Sequence, residues 1–168
     1  IRQRQPQAIL SSGSANSRAL ANQALYLAKI VLRAWQADLD KQDIPARTLT
    51  QAYHNATREH LVAAYGWFLQ AIARSDGPAT GLVRSCDDLP PMPEGRVFPG
   101  EINEFRQLEA SGWLADMLQE VDIDMPEPRQ RGNLAVASTN GPGITQVADW
   151  LQHLERLFDR MGDSLDEY

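Results

Sequence analysis

Arg47 and His54 stand seven residues apart, two turns of an α-helix, so on a helix they share one face. Of all the ionisable pairs in the chain, this one has the types and spacing nearest to a catalytic arrangement. The three histidines offer little else. None of His54, His60 and His153 has a Glu three residues before it, so the Glu-x-x-His pairs of di-metal helical bundles are missing. His54 and His60 lie six residues apart, roughly 120° around a helix, and cannot share one ion. His-Glu-x-x-His is absent too. No metal site and no cofactor are expected; His60 reads as a partly buried residue, and His54 and His153 as surface residues.

Nucleophiles and phosphate loops are equally sparse. Cys86 is the single cysteine, so there is no internal disulfide and no multi-cysteine zinc site. Asp87 and Asp88 beside it oppose thiolate formation, while Arg84 favours it. Neither phosphate-loop signature occurs, nor does a Gly-x-Ser-x-Gly elbow. Gly141-Pro142-Gly143 before a helix reads as a loop ending where a helix begins, although its free N–H groups suit an anion.

Four main helices would carry these residues. The first is expected over 16–42, capped by Asn16 or Ser17. Its apolar row Ala21, Leu25, Ala28, Leu32, Trp35 and Leu39 is spaced 4-3-4-3-4. A second row, Leu20, Ala24, Leu27 and Val31, widens that face and makes the helix read as central. The second helix is expected over 45–74. One of its rows is Leu49, Tyr53, Ala56, His60, Ala63 and Trp67; another is Leu61, Ala64, Tyr65, Phe68 and Ile72. A third opens near Pro99 or Gly100, is interrupted at Ser111-Gly112 and resumes through Trp113, Leu114, Met117, Leu118 and Val121. The last runs from 144 or 145 to 161, stopped by Gly162. Its row of Val147, Trp150, Leu151, Leu154, Leu157, Phe158 and Met161 is the cleanest amphipathic pattern in the chain.

The connections are long. Residues 77–99 include Pro90-Pro91-Met92-Pro93 and at most a short helical turn; residues 122–143 form a second loop. The predicted architecture is all-α: an antiparallel bundle of four main helices over 16–162, with an extended arm at 1–15, two long loops and an acidic tail at 163–168. Each helix has a tryptophan on an apolar row. Core is the default for them, though they also suit an aromatic-lined groove for a small ligand or partner helix. Trp113, next to Gly112, is the one least expected to be fully buried.

Net charge is −6, unevenly spread. Residues 1–86 hold ten basic and five acidic side chains, whereas residues 87–127 hold two and eleven. The simplest reading is an acidic segment folded back over a basic helix pair. Overall acidity argues against nucleic acid as a partner. No stretch is apolar and long enough to span a bilayer, and the first ten residues lack the apolar run of a secretory signal. A reducing, cytoplasmic setting is expected.

The Arg47–His54 spacing resembles the active-site motif of the helical HEPN ribonucleases. The resemblance implies His54 as acid/base and Arg47 as the phosphate-neutralising cation. That family carries its motif on a late helix, and here it falls on the second. A surface Arg and a surface His are the preferred reading. The runs Arg58-Glu59-His60-Leu61 through Ala73 and Glu101-Ile102-Asn103-Glu104-Phe105 through Leu118 resemble a family of small helical proteins of gammaproteobacteria, a domain of unknown function. That resemblance covers about 16–161 and implies a bacterial cytoplasmic helical protein, with no site residues. The leading expectation is a non-enzymatic interaction or assembly module that binds a protein or itself. Arg2 and Arg4 on the arm, together with Trp113, would meet the partner.

Overall fold

Apolar rows at helical spacing leave water by packing on one another. In the structure, a computed structural model that describes residues 10–73, 82–123 and 143–166, they do so as five α-helices. These are α1 (Leu10–Lys41), α2 (Ala46–Ala73), α3 (Gly100–Ser111), α4 (Trp113–Leu118) and α5 (Ile144–Asp166), with a 3₁₀ turn at Cys86–Asp88. No strand occurs among the described residues. Arg2, Arg4, Gly141 and Pro142 lie outside them.

Several boundaries differ from expectation. α1 begins at Leu10, so residues 10–15 are helical and Asn16 and Ser17 lie inside the helix, not at its cap. No proline stands between Leu10 and Asn16 to bar that extension. α1 ends at Lys41, and Gln42 takes the left-handed conformation (φ 58°) that closes the helix. α4 stops at Leu118, leaving Val121 exposed. α5 runs through Gly162 to Asp166. A lone glycine costs only about 1 kcal/mol in a helix, and here the Arg18 guanidinium covers it, donating to the Gly162 carbonyl at 3.4 Å. The interruption at Gly112 is present: its N–H still donates to Leu108 O at 2.9 Å, but the chain turns there into α4.

The central helix is α2, not α1. Leu61, Tyr65, Phe68 and Ile72 are buried, as are Ala64 and Leu69 between them. The other row expected on α2 is buried at Leu49 and otherwise forms a half-buried flank, with Tyr53, His60, Ala63 and Trp67 partly exposed and Ala56 exposed. α1 keeps one buried side, at Ala21, Leu25, Ala28 and Trp35; its second row is mixed, for Ala24 is buried while Leu27 is exposed. The predicted α5 row is buried throughout.

Side-chain pairs order the helices. Arg18 meets Gly162 and Lys29 pairs with Glu155, between α1 and α5. Between α2 and α5, His54 meets Trp150 edge-on and Phe68 stacks on Phe158 at 4.1 Å. Phe105 packs edge-on against Tyr65 and Phe68, and Glu104 pairs with Arg160.

Close approach to a loop constrains α2 at one residue. An added Cβ at Gly66 would lie 1.8 Å from the Val83 carbonyl oxygen. Backbone cannot swing aside as a side chain can, so the loop would have to lift off α2. Helix propensity alone would make Gly66→Ala stabilising by about 1 kcal/mol. We expect the opposite sign: a net loss of about 1–3 kcal/mol in urea unfolding, the usual cost of overpacking.

Candidate functional site

α2 also carries the ionisable side chains that the fold draws inward. Continued toward the N-terminus at 3-4 spacing, its core row Leu61, Tyr65, Phe68 passes through Arg58 and His54. Both are buried. The surface position expected for His54 is therefore corrected: its ring is enclosed edge-on by Trp35 of α1, at 6.5 Å between centroids, and by Trp150 of α5, at 6.1 Å. Nδ1 lies 3.3 Å from Asn55 Oδ1, an acceptor that holds a proton on Nδ1 in the neutral ring. Nε2 and the neighbouring Trp35 Nε1 make no hydrogen bond among the described residues. Burial, with the Arg58 charge adding to it, lowers the His54 pKa, while the Asn55 contact partly opposes the shift.

Arg47, by contrast, is exposed. The two residues of the ribonuclease-like motif thus lie in different environments, one at the surface and one sealed beneath two indoles. An imidazole in that position cannot reach a phosphate in solution. His60 is half-buried and His153 exposed, as expected.

One turn after His54, Arg58 performs a structural task. Its Nε donates to Met117 O at 2.7 Å and one terminal nitrogen donates to Leu118 O at 2.7 Å. These are carbonyls at the end of α4, which the helix itself leaves without partners. The other terminal nitrogen donates to Glu59 Oε1 at 3.0 Å. Glu59 in turn receives two bonds from Arg84, at 2.9 and 3.0 Å. Arg84 therefore faces Glu59 and is not spent on activating Cys86. Its guanidinium is the largest cause holding the Glu59 carboxyl below its ordinary range.

A second polar cluster joins α2, the 3₁₀ turn and α3. Glu109 Oε1 accepts from the Tyr65 hydroxyl at 2.7 Å and from the Cys86 N–H at 2.9 Å. The Cys86 sulfur lies 3.8 Å from that hydroxyl and 3.9 Å from Ile102 O. Burial, then the Glu109 charge, pushes the thiol pKa up to about 12. Asp88, expected to act on the thiol, instead accepts from the N–H groups of Arg84 and Ser85. The cluster holds a protonated thiol and a phenol whose proton is also held tightly, since burial and Glu109 both raise its pKa. No group of three or more metal-ligating side chains occurs among the described residues.

The surface carries different features. Trp113 is half-buried and stacks on exposed His153 at 5.1 Å, with 19° between planes. On α1, Tyr26 is 56% exposed, Leu27 38% and Ile30 44%. Those three were not anticipated as site residues. Tyr26 and Ile30 fall off both apolar rows of α1, whereas Leu27 belongs to the second row and is exposed all the same.

Two measurements test the interior. Arg58→Met keeps the aliphatic bulk and strands the α4 carbonyls. At roughly 1–3 kcal/mol for each buried group left unpaired, we expect a loss of about 2–4 kcal/mol in chemical denaturation, with Arg58→Lys in between. For His54 the native pKa lies below the unfolded value near 6.5. Between those two values the unfolded chain binds the extra proton, so stability is full above pH 6.5 and falls as the pH drops. The slope is at most about 1.4 kcal/mol per pH unit for one proton. Unfolding titrations of wild type and His54→Leu should differ by that slope below pH 6.5; parallel curves would refute the burial argument.

Comparison of the chain with protein-family models, with curated proteins and with solved structures finds no match.

Proposed function

We propose that this chain is a non-enzymatic interaction module of the bacterial cytoplasm that works through protein contacts. Its frame is read as an antiparallel bundle of four rods: α1, α2, the broken α3–α4 pair, and α5. Pairs with rising numbers on one rod and falling numbers on the next support that arrangement, as in Arg18 with Gly162 and Lys29 with Glu155. No helix among the described residues is long and apolar enough to cross a membrane. The gammaproteobacterial resemblance belongs to the same proposal.

The observation that carries the reading is the apolar surface of α1. Large side chains left in water on a helix otherwise well packed are what a partner would cover. The interior supports it from the other direction, because the buried guanidinium is bonded to the end of α4, the thiol is kept protonated by burial and Glu109, and the imidazole is enclosed by two indoles. Chemical cross-linking followed by affinity capture from native lysate tests the proposal. Wild-type protein should retain a protein, another copy or a different chain, and Ile30→Glu should lose most of it. A chain that stays monomeric and retains nothing, or retention indifferent to Ile30→Glu, would refute it.

A further inference from the structure

The outer face of α1 has an order of its own. Ala19, Gln23, Tyr26, Ile30, Arg33 and Ala37 are all exposed and are spaced 4-3-4-3-4, a continuous helical seam. The row reads the same from either end in size: small residues at both ends, large apolar ones in the middle. It spans about 27 Å at 1.5 Å per residue. Leu27 and Ala34, also exposed, widen it on one side.

Resting on the interaction reading above, we propose that the partner for this face is a second copy of the chain, with the two α1 helices antiparallel about a two-fold axis level with Ala28. In that register Tyr26 of one copy meets Ile30 of the other, Gln23 meets Arg33, and Ala19 meets Ala37. Arg33 is the one charged residue in the row, and it decides the direction. A parallel pairing sets Arg33 against its own copy, a like-charge contact. The antiparallel pairing gives it the Gln23 carbonyl as acceptor. The alanines let the helix ends approach while the central side chains interdigitate. A two-fold pairing also closes, so it makes a dimer and not a fibre. The seam is a single helix row of six residues, which points to a weak dimer.

Light scattering on size exclusion across a concentration series tests the pairing. The mass should climb from 18.7 kDa toward twice that value in wild type, and stay at the monomer value in Ile30→Glu with helicity unchanged. Cysteine variants test the register, with the buried native thiol out of reach. Tyr26→Cys and Ile30→Cys, which face each other across the seam, should link when the two are mixed and oxidised. Ala19→Cys and Ala37→Cys should not self-link, being about 27 Å from their own copies across the axis, but should link to each other when mixed. A monomer at every concentration, a dimer indifferent to Ile30→Glu, or self-linking of Ala37→Cys would overturn the proposal. A monomer that still loses a different captured protein on Ile30→Glu would overturn it too, while leaving the interaction reading intact. So would a monomer whose melting temperature falls sharply with Ile30→Glu, since its own chain would then be the cover.

Discussion

A guanidinium taken out of water needs acceptors for its N–H groups, and Arg58 finds them at the frayed end of another helix. Its bonds to the carbonyls of Met117 and Leu118 fasten α4 to α2. That contact satisfies two needs at once. α4 has only six residues, too few to be stable alone, and its terminal carbonyls lack partners of their own. The buried cation has only a half-exposed carboxylate, Glu59, as its ion-pair partner among the described residues. Each side supplies what the other is missing, and α2 becomes the helix on which the rest is assembled.

The same economy runs along α2. Tyr65 reaches Glu109 of α3, which also takes the Cys86 N–H from the 3₁₀ turn. Gly66 lets the Val83 backbone lie directly on the helix. Polar side chains in the interior thus act as ties between elements that are short or loop-like, where apolar area alone would be thin. The two longer flanking helices, α1 and α5, depend on it less and pack mainly through apolar and aromatic contact. This division explains why the reactive residue types of the chain, one thiol and one central imidazole, are sealed while its unpaired apolar surface is outward.

Much of the frame was legible in the chain. Helix existence followed from row spacing, and the α5 row is buried residue for residue. The Gly112 break followed from the weakness of glycine in a helix. The ends were less legible: a favourable cap residue such as Asn16 does not stop a helix when nothing before it forbids one. At the candidate site the surface position expected for His54 fails because the core row Leu61, Tyr65 and Phe68 continues at 3-4 spacing through Arg58 and His54, and the polarity of those two side chains gives no sign of that burial.

Periodicity is a property of one helix, so the chain by itself determined that there would be helices and roughly where each apolar side lay. Which of two rows faces the core is a property of several helices together. That was decided in three dimensions, when Trp35 and Trp150 closed over His54 and the end of α4 came within reach of Arg58. An ionisable side chain shows its type in the sequence; whether it meets water, a carbonyl or an indole depends on residues far away in the chain.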